Sequence, residues 1–203
     1  MKRIILITGG QRSGKSSKAE ELALSLSENP VYLATAHIWD EEFRERVRRH
    51  QERRGPQWTN IEEETALSKH DMTGRVVVID CVTLWLTNIL YSEELRVKSE
   101  EFATAQDGEA DSSAKGTAVA NSSLFTLNSS LKLAKAEFDK FTEAEATYIF
   151  VTNEIGSGGV SDNAIQRKFT DLQGWMNQYI AQKADEVILM VAGLPVIIKK
   201  TMF

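Results

Sequence analysis

Arg3-Ile4-Ile5-Leu6-Ile7-Thr8-Gly9-Gly10-Gln11-Arg12-Ser13-Gly14-Lys15-Ser16 is the stretch from which the rest of the chain is read. Arg3 to Thr8 is a short, β-branched, nearly all-apolar run, the pattern of a central strand covered on both faces. Gly9 to Ser16 matches G-x-x-x-x-G-K-[ST] in full. From Ser16 onward, Ala19, Leu22, Ala23 and Leu26 fall at i, i+3, i+4 and i+7, giving a helix one apolar face before Asn29-Pro30 stops it. Strand, glycine-rich turn and helix, in that order, are the context a phosphate-binding loop requires. Its glycines let successive backbone N–H groups turn inward, and the helix N-terminus adds its positive end. Lys15 neutralises β- and γ-phosphate charge, and Ser16 offers a hydroxyl to Mg²⁺.

Outward from this unit, strands and helices alternate. Val31 to Ala34 reads as a second strand, and Asp40-Glu41-Glu42 caps a helix running to about Arg54, where Gly55-Pro56 ends it. A strand near Trp58 to Ile61, a short helix near Glu63 to His70, a buried strand at Arg75 to Asp80 and a helix from Thr83 to Tyr91 follow. Between Ser92 and Ser123 the hydrophobic period weakens and Asp107-Gly108 and Lys115-Gly116 punctuate the chain, so an insertion or mobile connection is expected there. Leu124, Leu127, Leu131, Ala134 and Phe138 then define a helix face, Thr147 to Thr152 a strand and Asn163 to Lys183 a long helix. Glu186 to Ala192 and Leu194 to Lys199 form two final strands joined through Gly193. The pattern predicts one α/β domain over residues 1–203: a P-loop, RecA-like, mostly parallel sheet with helices on both faces and a C-terminal hairpin. In such folds ligands bind beyond the carboxyl ends of the strands, here after Thr8, Ala34, Asp80 and Thr152.

With 24 Lys+Arg against 29 Asp+Glu and a net charge of -5, the average field repels polyanions, so wholesale binding to nucleic acid or anionic lipid is not expected. One cysteine, Cys81, excludes an internal disulfide framework and a cysteine-clustered zinc site. No stretch reaches the roughly 18 apolar residues of a membrane span, and the apolar run after Met1-Lys2-Arg3 is too short for a signal peptide. The expected location is cytoplasmic.

Val76-Val77-Val78-Ile79-Asp80 ends an apolar strand in a carboxylate, the usual way a P-loop protein presents the acid that holds Mg²⁺ or its water shell. Nothing beside Cys81 in sequence supplies the cationic setting that activates a thiolate, so it reads as packing. Between Arg44 and Arg54 positive charge concentrates. Phe43, Val47 and His50 share a helix face there, with arginines flanking the imidazole. His50 is then either a boundary histidine on a solvated basic helix or a nucleophile kept neutral by like charge and aimed at phosphorus. His37 and His70 make no metal-ligand spacing with it.

The loop Gly9 to Ser16 with Ala19-Glu20 comes together with Tyr32-Leu33-Ala34-Thr35-Ala36, the stretch from Arg46 through His50 to Trp58, Thr87-Asn88, Val151-Thr152-Asn153-Glu154-Ile155-Gly156 and Gly174-Trp175-Met176-Asn177-Gln178. On these residues the chain resembles the bifunctional adenosylcobinamide kinase/adenosylcobinamide-phosphate guanylyltransferase family of cobalamin synthesis, nearly end to end. Only Ser92 to Ser123 has no counterpart. The resemblance implies ATP or GTP phosphorylating adenosylcobinamide, then GMP passing from GTP to that phosphate through a guanylylated histidine, which maps onto His50. Pyrophosphate and adenosylcobinamide-GDP are the implied products.

The resemblance also implies Lys15 as catalytic, with nucleotide contacts at Gly9, Gly10, Gln11, Arg12, Ser13, Gly14, Lys15 and Ser16. Further contacts fall at Ala34, Thr35, Ala36, Gln51, Glu52, Arg53, Arg54, Glu62 and Asp80, with Mg²⁺ on Ser16 and Asp80, and the assembly is a homotrimer. Glu62, otherwise an exposed helix start, would accept the paired N1–H and N2–H donors of guanine. The chain departs from the family's frequent pattern at Asp80 (Glu), Ser161 (Pro) and Thr170 (Arg), which weakens the kinase half of the likeness. Asn153-Glu154 and Gly156-Ser157-Gly158-Gly159 either border the corrinoid or serve loop geometry. Two other functions fit the motif without the resemblance: a small-molecule P-loop kinase without guanylyl transfer, and a non-enzymatic nucleotide switch.

Overall fold

Residues along β1 (Arg3–Gly9) alternate between the two faces of the sheet, Ile5 and Ile7 going to one core and Ile4 and Leu6 to the other. A strand buried on both sides must be central, and β1 pairs in parallel with β5 (Thr147–Val151) on one side and β6 (Glu186–Val191) on the other. The computed structural model describes residues 1–37, 41, 44–45, 48, 52, 54–106 and 115–201. With β2 (Val31–Ala34), β3 (Thr59–Glu62), β4 (Val76–Asp80) and β7 (Leu194–Lys200), the sheet has seven strands in the order β3-β2-β4-β5-β1-β6-β7. All pairings are parallel except β6–β7, the expected C-terminal hairpin, which turns through Ala192 (φ 51) and Gly193 (φ 83).

Helix α1 (Lys15–Leu26) lays Ala19 and Ala23 on the Ile5/Ile7 face, small residues that bring the phosphate-loop helix close to the strands. The other face is covered by α2 (Val82–Gln106), α3 (Lys115–Phe141) and α4 (Ala164–Lys183). There Trp85, Phe138, Leu172 and Met176 meet Leu33, Ile79, Tyr148 and Phe150. Helix α4 starts at Asn163, whose side-chain oxygen accepts from the amides of Ile165 and Gln166, a cap worth about 1 kcal/mol.

Strand β5 lies between β1 and β4, with Ile149 opposite both Ile5 and Val78. The phosphate loop and Asp80 are therefore one strand apart, and the segment leaving β5 at Thr152 emerges between them. This is the RecA-like arrangement anticipated.

Two local expectations change. The helix placed near Glu63 to His70 shrinks to a 3-10 turn at Leu67–Lys69. Glu63 Oε1 accepts from the amides of Thr65 and Ala66 at 3.1 and 2.9 Å, offering the backbone a turn in place of helix bonds. The helix expected to end at Tyr91 continues as α2 to Gln106, and α3 begins at Lys115. Helices thus enter the Ser92 to Ser123 segment from both ends, because its Glu, Leu, Arg, Lys and Ala residues favour helix even where the apolar stripe fades. Residues 107–114 lie outside the described residues. Of the expected Asp40 to Arg54 helix, Glu41, Arg44, Glu45, Arg48 and Glu52 are described and are helical. Among the described residues no helix is long and apolar enough to cross a membrane.

Candidate active site

The phosphate loop needs glycine where β1 meets it. At Gly9 (φ +150) a Cβ would lie 2.5 Å from the Met190 carbonyl oxygen and 2.8 Å from Ser13 Oγ, so no side chain fits. Gly14 (φ 93) starts α1 in the left-handed region, and among the described residues no side chain caps it. The first-turn amides of α1 stay open to an anion. The β6–β7 turn supports the loop from behind, Gly193 N donating to Ser13 O at 3.1 Å. Ser13 Oγ is buried without a hydrogen-bond partner among the described residues, a donor available to a phosphate oxygen.

Lys15 is 7% exposed, and its Nζ donates to Gly10 O at 2.6 Å. Burial lowers the ammonium pKa, while nearby Cys81 and Asp80 oppose that shift, so Asp80 shares the field of the loop. The Cys81 thiol is buried and pushed up to about 12 by desolvation first and the Asp80 charge second, which suits packing and not nucleophilic use.

Asp80 is held by a partner that the sequence reading did not single out. Tyr32 Oη donates to Asp80 Oδ2 at 2.5 Å. Burial, then the Asp80 charge, raises the Tyr32 pKa well above its usual value, so the phenol remains a donor. The Trp58 ring packs T-shaped against Tyr32 with centroids 5.9 Å apart, and the Arg54 guanidinium lies 3.6 Å from the Tyr32 ring centroid. Arg54 is 3% exposed in its side chain, donates from Nε to Asn60 Oδ1 at 2.9 Å and lies 3.7 Å from Glu20 of α1. Tyr32→Phe is expected to lower unfolding free energy by about 1.5 kcal/mol in a urea titration at pH 7. That is the low end for a hydrogen bond to a charged group, because Asp80 is only half-buried. No measurable loss would mean that water replaces the phenol.

The loop after β2 is tied to the same strand end. Thr35 N donates to Asp80 O (3.1 Å), Thr35 Oγ1 bonds both Cys81 O (2.8 Å) and Cys81 N (2.9 Å), and Asn88 Nδ2 donates to Thr35 O (2.8 Å). Ala34, Thr35 and Ala36 are thereby fixed beside Asp80. Glu62 ends β3 opposite Ala34 and is exposed, where a base edge could reach it.

A third polar group gathers past β5. Thr8 Oγ1 donates to Glu154 Oε1 (2.7 Å), as does Asn177 Nδ2 (3.2 Å), and Glu154 N donates to Gly9 O (3.1 Å). Asn177 Oδ1 accepts from Thr152 Oγ1 (2.7 Å) and Gln173 Nε2 (2.9 Å), and Asn153 donates twice to Thr83 Oγ1. Asn153, Glu154 and Asn177 lie in stretches the sequence reading quoted, whereas Gln173, four residues before Asn177 on α4, does not.

His50, Gln51 and Arg53 lie outside the described residues. Near them, Arg44 pairs with Glu41, and Arg48 with Glu45 at 2.8 Å and Glu52 at 3.5 Å, so part of the positive charge is balanced along the segment itself. Ser16 and Asp80 fit Mg²⁺ as hard oxygen donors: among the described residues no three acids, histidines or cysteines gather into a cage. Mg²⁺ typically binds through one or two protein oxygens, substrate phosphates and water.

A strand-ending glycine cradle, a buried lysine within it and an opposed carboxylate one strand away define a P-loop nucleotide-binding protein. The chain belongs to the cobinamide kinase / cobinamide phosphate guanyltransferase family, whose model matches residues 5–198, and is thus a bifunctional, nucleotide-using transferase of cobalamin biosynthesis. It is 33% identical over 198 residues to the bifunctional adenosylcobalamin biosynthesis protein CobP of Pseudomonas aeruginosa, covering 96% of each chain. It is also 33% identical over 200 residues to CobU of Escherichia coli, covering 97% of this chain and 99% of that one. Among solved structures, it is similar to the flagellar accessory protein FlaH of Methanocaldococcus jannaschii (14% identity, 98% of this chain and 79% of that one, TM-score 0.44). It is likewise similar to an ATPase of the type III secretion system of pathogenic bacteria (15% identity, 93% and 51%, TM-score 0.47).

Proposed function

We propose that the chain phosphorylates the aminopropanol hydroxyl of adenosylcobinamide with ATP or GTP. It then moves GMP from GTP onto the new phosphate through a guanylylated His50, giving adenosylcobinamide-GDP and pyrophosphate. The observation that carries this reading is Lys15, a buried ammonium held on the Gly10 carbonyl and within the field of Asp80. Phosphate oxygens entering the loop replace that carbonyl as its partner.

In the kinase half, the amides from Gly9 to Ser16 and the Lys15 ammonium hold the triphosphate, with Gln11 and Arg12 on the exposed rim of the loop. Ser16 and Asp80 would hold Mg²⁺, which when bound neutralises phosphate charge. In the second half, the His50 imidazole attacks the α-phosphorus. A P–N bond forms as the bond to the bridging oxygen of the β-phosphate breaks, and pyrophosphate leaves. An oxygen of the corrinoid phosphate then attacks the phosphoramidate and frees the imidazole.

Ala34, Thr35 and Ala36 line the nucleotide beside Asp80, and Glu62 selects guanine by accepting N1–H and N2–H. Gln51, Glu52, Arg53 and Arg54 complete the surface, Arg54 through its backbone because its guanidinium is engaged on Tyr32. The homotrimer is part of the same reading. Exposed Leu194, Val196, Ile197 and Ile198 on edge strand β7 offer apolar surface for association.

Incubation with α-labelled GTP and Mg²⁺ tests the covalent step. Wild type is expected to retain acid-labile, base-stable GMP. His50→Asn is expected to retain none while still passing the γ-phosphoryl group to adenosylcobinamide. A label surviving in His50→Asn would remove the histidine from the mechanism.

A further inference from the structure

The geometry points to Glu154 as the general base of the phosphoryl-transfer half-reaction, the group that takes the proton from the attacking hydroxyl. This rests on the kinase half of the proposed function. It adds a residue for which the sequence left two readings open, bordering the corrinoid or shaping a loop.

Topology supplies the first reason. Strand β5 runs between the phosphate-loop strand and the Asp80 strand, so the segment after Thr152 opens onto the space both of them face. Glu154 N bonds the carbonyl of Gly9, and Lys15 Nζ bonds the carbonyl of the next residue, Gly10. The Glu154 backbone and the ammonium of the lysine that meets β- and γ-phosphate charge are thus anchored on consecutive residues at one end of the loop.

The second reason is how the carboxylate is held. Both of its donors, Thr8 Oγ1 at 2.7 Å and Asn177 Nδ2 at 3.2 Å, go to Oε1. Thr152 and Gln173 fix Asn177 in turn. Oε2 has no hydrogen-bond or ion-pair partner among the described residues, and the side chain is only half-buried. One oxygen is clamped by neutral donors, which leaves the other to take a proton. Asp80 is occupied differently, bonded by Tyr32 and placed to serve a metal.

The step balances simply. As the substrate oxygen bonds to the γ-phosphorus, its proton passes to Glu154 Oε2. The bond from that phosphorus to the β-bridging oxygen breaks, and the nucleoside diphosphate leaves with its electron pair. The carboxyl then returns the proton to solvent.

A strut tying β1 to β5 and α4 would show the same hydrogen bonds, so the test must keep them. In Glu154→Gln the amide oxygen still accepts from Thr8 and Asn177 but takes no proton. Phosphorylation of adenosylcobinamide by GTP is expected to lose roughly 100-fold or more in kcat, together with the acidic limb of its pH profile. KM for GTP, thermal unfolding and the GMP label from α-labelled GTP should stay at wild-type levels. Glu154→Asp keeps a carboxylate one methylene back, and should retain the acidic limb at reduced kcat, which gives a readout if the glutamine variant folds poorly. The inference is overturned if Glu154→Gln keeps kcat within about threefold of wild type or keeps the acidic limb. It is overturned equally if Glu154→Asp loses that limb. Absence of phosphorylation or label in wild type itself would instead undo the parent reading.

Discussion

Lys15→Met is expected to abolish useful turnover in both half-reactions, phosphorylation falling by roughly 10²–10³-fold, without weakening the fold. In the proposed mechanism both transfers draw on a triphosphate in the same loop, where the Lys15 ammonium is buried, 7% exposed. Charge developing on the leaving phosphates then loses the counter-charge of the buried ammonium. The protein does not depend on that ammonium for folding. Burial disfavours the charged form, lowering the Lys15 pKa from its ordinary 10.5, and its hydrogen bond goes to a neutral carbonyl. Between the lowered folded value and 10.5 the unfolded chain binds more protons, so wild-type stability gains from rising pH over that window. The methionine variant, carrying no charge, lacks this gain and should be at least as stable as wild type at pH 7 in a urea titration. Coupled measurement of turnover and unfolding at pH 7 and 9.5 checks both statements. Near-wild-type turnover would mean that the loop amides alone carry the phosphate charge.

The elements legible in the chain were those whose signal is local. Arg3 to Thr8, the loop to Ser16 and the apolar run into Asp80 each announce themselves within ten residues, and Gly193 marks the hairpin with a positive φ. Glu63 was misread because a side-chain oxygen capping two amides competes with helix formation, and composition does not say which wins. Tyr32 was legible only as part of the second strand and of a stretch shared with the family. That its hydroxyl meets Asp80 depends on β2 lying beside β4 with Ala34 opposite Asp80, a register no local pattern fixes. Glu154 is a stronger case, since its partners Thr8 and Asn177 come from β1 and α4 and meet only because β5 is inserted next to β1. Elements set by a local motif were readable, whereas contacts set by strand order were not.

Trp85→Ala is expected to cost roughly 3–5 kcal/mol, a large part of the roughly 5–15 kcal/mol that holds a typical domain. Trp85 is fully buried, the bulkiest of the fully buried side chains among the described residues, and packs in the core between the sheet and α2. Two terms add: the apolar transfer energy of the indole, and a cavity that neighbours such as Leu33 and Ile79, fixed in strands, can fill only partly. Its Nε1–H also donates to Thr65 O at 2.9 Å, holding the turn that follows β3. Trp85→Phe separates these terms, leaving most of the volume but no donor, and should lose about 1–2 kcal/mol. The damage should also reach the site. Trp85 N bonds Cys81 O at the start of α2, and Asn88, one turn later, holds Thr35 beside Asp80. A loosened helix start therefore weakens GTP binding in the folded fraction of Trp85→Ala and spares it in Trp85→Phe. Calorimetric melting with and without GTP reads both effects at once. Equal nucleotide-induced stabilisation in the two variants would show that the indole supports the core without reaching Thr35.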